Sequence, residues 1–549
     1  MDLEVPIPDW VDVGARPITG FDLLSLRLPV QRIGTSVLSG VTTISPTVRY
    51  LSLRSWVLQR FQKSGLPAAR AALVEFAAPI EAAVVLGNLL LDPQAIGLIG
   101  SNEANELLKR VGDPIDLGRL AKILAFNVYA GPSDELGVSV DSDAELPGIT
   151  KERGIPLAES IESFVAQTSY WRQFSDGKPP ARMTRVQLKE LGGALPMREI
   201  PASERQLLIS IIIPNAPKIL RQRDEGFRVA TYARLLALAS EHGRVPTEDD
   251  FFASVTRSDE MNLPYVQNVL DGWACYLVRD ILAVVHEAAL AAILESLGAS
   301  YSVAVYTEGT EVVESLLQQV EALSEPLRGL KLLEMNETIQ DVTLAELDAR
   351  VANQLKGPQQ ITGITRWSGA LNELQIMRLA ENADVGALAL LPVAWLLIRK
   401  RVAADRASQT SLRWLSAQRA NQIGVDRRIG VNETVLPRLE RWCGQEAPLS
   451  QVIGELAMLT VDQHLQIAWS RLAQDTKRDV ALLLTEGTAW KFRGEFRNGR
   501  TASRIRQATG WLQQLQLISD SGITSAGEQV LMQSQATLRL RQEAVDESA

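Results

Sequence analysis

The densest run of residues that could do chemistry lies near the C-terminus. Between Glu486 and Gln516 stand six basic residues (Lys491, Arg493, Arg497, Arg500, Arg504 and Arg506) against two acids, Glu486 and Glu495. The 549-residue chain carries −9 overall, so this local +4 reverses the sign. Arg500, Arg504, Gln507 and Gln514 cluster on one side of a helix predicted over 501–516. Guanidinium groups on such a face can meet phosphates, and a glutamine beside them can pair with a base edge. Arg497, Arg500, Arg504 and Arg506 are therefore candidate phosphate contacts, with Gln507 nearest to the bases and Lys491 and Arg493 on the flanking hairpin. The other reading of the same face is a solvated surface on a module that only holds protein parts together.

Other chemistry is sparse. Asp479, Glu486 and Lys491 follow one another along the predicted hairpin, as carboxylates and a lysine do in metal-dependent nuclease cores. The Glu-x-Lys spacing of those cores is absent, because four residues separate Glu486 from Lys491. There is no Gly-x4-Gly-Lys-Ser/Thr loop to cradle phosphates, and no Gly-x-Gly-x-x-Gly turn. Three histidines (His242, His286 and His464) and two distant cysteines (Cys275 and Cys443) show no metal-ligand spacing. No catalytic residue, metal site or cofactor is expected, although an enzyme site assembled from distant residues would leave no trace in sequence.

The elements that must position the basic face read as a winged-helix module. A hairpin over 480–493 turns at Glu486-Gly487. Along the following helix, Ile505, Ala508, Leu512 and Leu515 form one apolar stripe. A short wing over 517–520 follows, then Gly522-Ile523-Thr524-Ser525-Ala526-Gly527 opens a last helix. An earlier stretch repeats this grammar. Glu135-Leu136-Gly137-Val138 ends a helix, and Gly148-Ile149-Thr150 leads through Gly154 into an apolar helix. This first unit is acidic, with eight acids against two bases over 134–162, so it should avoid DNA and bind protein.

Composition bounds the rest. A hydrophobic fraction of 46% with 22% charged residues describes a globular chain with a large core, and the length suggests several domains. Two cysteines and an acidic N-terminus predict a cytoplasmic protein without a disulfide framework or signal peptide. The longest apolar run, 385–398, is too short for an ordinary membrane span and reads as a buried helix. Residues 308–348 carry ten acids and two bases, and 399–441 carry ten bases and four acids. Basic residues interleaved with Trp395, Trp414 and Trp442 can line a nucleic-acid groove, or can pack over tryptophan at helix surfaces.

Ser45-Pro46 gives an N-cap and a first-turn proline. The stretch from Gly40-Val-Thr-Thr-Ile-Ser-Pro-Thr-Val-Arg49-Tyr50 to Trp56 resembles the opening of poorly characterised bacterial helical protein families, to some of which roles in anti-phage defence are attributed. In those, Pro-Gly and Thr precede Arg-Tyr, Ser and Trp; here Ser39 stands for the proline. The likeness covers about 30 residues and brings no catalytic residues with it.

The sequence thus describes a mostly α, multi-domain helical protein with winged-helix-like modules. The expected blocks are an N-terminal helical domain (1–169), a linker (170–202), a helical middle domain (203–355), a helical domain with a basic surface (356–475) and a C-terminal winged-helix domain (476–549). The leading functional expectation is a non-enzymatic, DNA-binding scaffold or adaptor subunit of a bacterial complex. The alternative is a purely protein-binding structural subunit that forms oligomers.

Overall fold

The computed structural model describes residues 22–120, 125–141, 146–174, 177–220, 223–256, 264–300, 305–355, 358–359, 366–367, 371–382, 384–408, 434–474 and 480–546. Asp479, Trp414 and most of the basic segment after Ser408 lie outside these residues. The chain is mostly helical, with small antiparallel strand pairs. It divides into two compact units. One comprises Met1–Ile33, Phe252–Met261 and Leu270–Thr501, the other Gly34–Phe251, Asn262–Val269 and Ala502–Ala549. These units cut the chain differently from the expected blocks, since 476–549 is shared between them at Thr501.

The unit built mainly from Gly34–Phe251 is centred on the Tyr50–Lys63 helix, buried from Tyr50 to Gln59. Arg49, just before it, makes a bidentate ion pair with Glu204, with both side chains fully buried. The Arg70–Leu91 helix runs through Pro79 as one element. It is the one helix among the described residues long and apolar enough to cross a membrane, and 72% of that window is buried in the protein.

This helix crosses the Arg185–Ala194 helix at two glycines. A Cβ on Gly87 would stand 2.4 Å from the Leu188 carbonyl oxygen, and one on Gly192 would stand 2.4 Å from the Gly87 backbone. Backbone cannot yield as a side-chain tip does. Gly192→Ala is therefore expected to cost about 1–3 kcal/mol of stability, read as a lower thermal midpoint. Gly193→Ala is the control: open space surrounds that position, so it should be neutral or slightly stabilising, because alanine loses less backbone freedom in a helix.

Residues 170–202, expected as a linker, belong to this same unit. Arg182–Met183 pairs with Ile115–Asp116, and Thr184 and Gln187 form a capping box at the start of the Arg185–Ala194 helix, which buries Leu188 and Leu191. The described residues between Leu117 and Glu135 form a 3-10 turn, Leu117–Leu120, and short helices at Ala125–Val128 and Ala130–Glu135.

Both helix–ribbon–helix modules form in this unit, and they match in detail. Ser139–Val140 pairs with Gly148–Ile149, and Ile518–Ser519 pairs with Gly522–Ile523. Before each ribbon one residue takes a left-handed conformation, Gly137 at φ 66° and Gln516 at φ 56°. The Thr150 hydroxyl donates to the Gly137 and Val138 carbonyls and accepts from Gly154 N–H. Thr524 does the same with Gln516, Leu517 and Gly527. Gly154 and Gly527 are required because a Cβ would meet a carbonyl oxygen at 2.3 Å and 2.0 Å respectively.

The other unit has the Ala387–Ser408 helix in its core, with residues 387–398 buried as the apolar run predicted. It packs on Val320–Gly329, Leu344–Leu355 and Leu449–Gln474. One buried histidine, His286, lies beside these helices and another, His464, lies on the Leu449–Gln474 helix itself. Trp395 Nε1 donates to His286 Nε2 at 2.9 Å, so the proton sits on Nδ1 and is shared with Thr460 Oγ1 at 2.7 Å. The Leu482 N–H donates to His464 Nε2. Burial holds both imidazoles neutral, His286 down at about 3 and His464 at about 4. The hairpin Leu483–Glu486 and Ala489–Phe492 pairs in this unit with Thr307–Glu308 to make a three-stranded sheet. Gly487 at φ 61° makes its turn, and Trp490 packs on Gly309, where a Cβ would stand 2.4 Å from the indole.

Candidate nucleic-acid interface

The seven residues proposed for DNA contact do not fall in one unit. Lys491, Arg493, Arg497 and Arg500 belong to the unit carrying the hairpin; Arg504, Arg506 and Gln507 belong to the other.

In the hairpin unit, Lys491 Nζ lies 5.6 Å from the centroid of the Tyr306 ring, and Arg493 donates to the Ala481 carbonyl. Arg500 pairs with Glu381 at 3.0 Å, its side chain 21% exposed. Around it the backbone is tied inward. Asn498 donates to the Ala380 carbonyl, Arg27 donates to the Gly499 carbonyl, and the Thr501 N–H donates to the Asp280 carboxylate. Arg27 also pairs with Glu287, whose side chain is fully buried. Burial pushes the Glu287 carboxyl up to about 7 despite that pairing. Arg497 is exposed.

In the other unit the helix is shorter than predicted, Ile505–Gln514, with Arg504 at its N-cap. The apolar stripe is buried as expected: Ile505, Ala508 and Leu512 are fully covered and Leu515 nearly so. The glutamine face is where expectation and structure part. Gln507 donates to the Thr43 carbonyl at 2.8 Å. Gln514 donates to the Pro46 carbonyl at 2.8 Å and accepts from the Val48 N–H at 2.9 Å. Trp511, fully buried between them, donates to the Ser45 carbonyl at 2.9 Å. Arg504 donates to Thr35 Oγ1, and Arg506 is exposed. The side chains offered to base edges thus satisfy the backbone of residues 43–48, which needs partners because it is an irregular turn.

A signal for this was present in the sequence. Gln507, Trp511 and Gln514 fall at i, i+4 and i+7, on one stripe. A tryptophan in the middle of a polar stripe marks that stripe as covered, and amides beside it are the groups best able to pair with backbone.

The acidic stretches are also engaged within their own units. Asp141 pairs with Arg54 at 2.6 Å, Glu152 with Lys218 at 3.0 Å and Glu162 with Arg60 at 3.9 Å. Over 308–348, Glu321 pairs with Arg328, Glu337 with Arg350, and Asp348 with Arg399 and Lys400. Among the described residues, no group of three or more histidine, cysteine or carboxylate side chains is placed to hold a metal ion. No family model, curated protein or solved structure matches the chain.

Proposed function

We propose that the chain is a non-catalytic helical scaffold subunit that binds protein partners in a larger cytoplasmic assembly. The observation that carries this reading is the inward pairing of Gln507, Trp511 and Gln514 with the backbone of residues 43–48. A helix that reads bases must offer its amides to the groove, and this one has already committed those of Gln507 and Gln514. The partner surface is drawn from exposed apolar side chains of the kind that Met532 and Leu540 present on the last helix, 62% and 67% exposed. Membership of an anti-phage system rests on the resemblance at residues 40–56.

A second reading keeps DNA as a weak, sequence-independent partner through Arg497 and Arg506, the two exposed cations of the set. Fluorescence anisotropy with a labelled duplex at physiological salt separates the two. The second reading expects binding in the non-specific range, about 10⁻⁴ to 10⁻⁶ M, without sequence preference and lost in Arg497→Glu with Arg506→Glu; the scaffold reading expects none in that range. Sub-micromolar affinity that falls steeply with salt and is lost in Arg500→Glu with Arg504→Glu would return the protein to the DNA readers.

A further inference from the structure

The last helix, Ser525–Asp546, packs on the Glu225–His242 helix of its own unit. Gly527, Ser534 and Leu538, which share one face of it, are buried. Two further side chains pin it. Thr537 Oγ1 donates to the Asn215 carbonyl at 3.1 Å. Arg541 donates to the Pro217 carbonyl at 2.8 Å and pairs with Asp224 at 2.6 Å. The helix is thereby fixed about its own axis, and so is the side it turns to water.

That side has a pattern. Gln529, Met532, Ala536 and Leu540 are exposed and fall on one ridge, opposite Ser534 and Leu538. The ridge carries no charge, and Met532 and Leu540 are the large side chains on it. Glu528 and Arg539, both exposed, stand three turns apart on one flank of it. Neither side chain forms an ion pair with a described residue.

A second copy of the same helix fits this pattern. In a two-fold contact the same flank of each copy faces the other, running in the opposite direction. A register that sets Met532 of one copy on Ala536 of the other, a large side chain on a small one, sets Glu528 beside Arg539 within about 1.5 Å along the axis. Leu540 then covers the aliphatic stem of Gln529. All three contacts repeat across the axis. Charge also selects the orientation, because a parallel pair would oppose Glu528 to Glu528 and Arg539 to Arg539.

We propose that the last helix is a self-association site, through which two copies of this chain pair antiparallel with Met532 on Ala536 at the axis and Glu528 on Arg539 at each end. This pairing rests on the reading of the last helix as a partner surface and names that partner. One helix pair covers less than the roughly 1,600 Å² of a standard stable interface, so the dimer is a reversible one, populated at high protein concentration.

Sedimentation equilibrium of the full chain over a wide range of concentration tests this, at low salt, where exposed ion pairs are least screened. A concentration-dependent passage from monomer to dimer is expected. Glu528→Arg and Arg539→Glu, each alone, oppose like charges at both ends and should weaken association about tenfold. The two together restore opposite charges and should return association close to the wild-type value. Met532→Lys should abolish it. All these side chains are exposed, so the variants should keep the wild-type thermal midpoint. A monomer at every concentration would overturn the proposal. So would a dimer indifferent to Met532→Lys or to the single charge reversals, or a double reversal that restores nothing. A monomer would remove the second copy as partner, while the duplex titration still decides between the scaffold and DNA readings.

Discussion

Glu204→Gln is expected to destabilise the unit centred on the Tyr50–Lys63 helix by about 3–5 kcal/mol, because it leaves the Arg49 guanidinium buried without its counter-charge. Both side chains have no solvent exposure, and the pair is made by three nitrogen–oxygen contacts of 2.7 to 3.1 Å. The further Arg49 contacts, to the carbonyls of Pro196 and Glu199, cannot neutralise a cation. Arg49→Ala should cost a similar amount, since it strands the carboxylate. The double variant Arg49→Met with Glu204→Leu should recover most of the loss, because desolvation of two charges disappears along with their attraction. Denaturant titration of the three variants checks this: the double variant should lie closer to the wild type than either single one. If Glu204→Gln alone moved the midpoint by under about 1 kcal/mol, the pair would be solvated and the buried arrangement wrong.

The second large effect is a dependence on pH that Glu81 imposes. Its folded carboxyl is raised from 4.5 to about 8, chiefly by burial. A carboxyl raised in the folded state adds stability in full below 4.5, and that stability is lost as pH rises toward 8, because the unfolded chain releases its proton first. A shift of that size corresponds to roughly 5 kcal/mol. Glu81→Gln removes the dependence. Relative to the wild type it should therefore gain about 1.4 kcal/mol per pH unit between pH 5 and 8, measured by guanidinium unfolding at each pH. The buried imidazoles act the opposite way in the other unit. His286 and His464 are lowered from 6.5 to about 3 and about 4, so their contribution is full above 6.5 and is lost as pH falls toward those values. A constant difference between Glu81→Gln and wild type across this range would show the carboxyl to be ordinary and hydrated.

What could be read in the sequence was whatever depends on local spacing. The apolar stripe of Ile505, Ala508, Leu512 and Leu515 repeats with the helix and is buried. The run ending at Ile398 lacks polar residues for a solvent face and is a core helix. The repeated Gly-Ile-Thr with a following glycine encodes a ribbon in which Thr150 and Thr524 bridge the same backbone positions.

Elements that depend on partners far along the chain were misread. Pro179-Pro180 looks like a linker, but Arg182–Met183 pairs with Ile115–Asp116, and no local pattern announces that. Summed charge misled for the same reason. The run over 134–162 is acidic along the chain, yet Asp141, Glu152 and Glu162 meet Arg54, Lys218 and Arg60 across space. The arginines and glutamines of the C-terminal helix had the right types for phosphates and bases. The use of Gln507 and Gln514 was decided by the backbone of residues 43–48, more than 450 residues earlier in the chain, and that of Arg500 and Arg504 by Glu381 and Thr35.

The central claim is that Arg500, Arg504, Gln507 and Gln514 are turned into the protein, leaving Arg497 and Arg506 as the exposed cations of the candidate set. Arginine-selective labelling with phenylglyoxal, followed residue by residue by mass spectrometry on the native chain, tests this most directly. Arg497 and Arg506 should react at the rate of a solvated arginine. Arg500 and Arg504 should react several-fold more slowly, and Arg49 and Arg228, both fully buried, only on unfolding. Labelling of Arg500 and Arg504 as fast as Arg497, in a chain where Arg49 stays protected, would contradict the account and give the helix back to DNA.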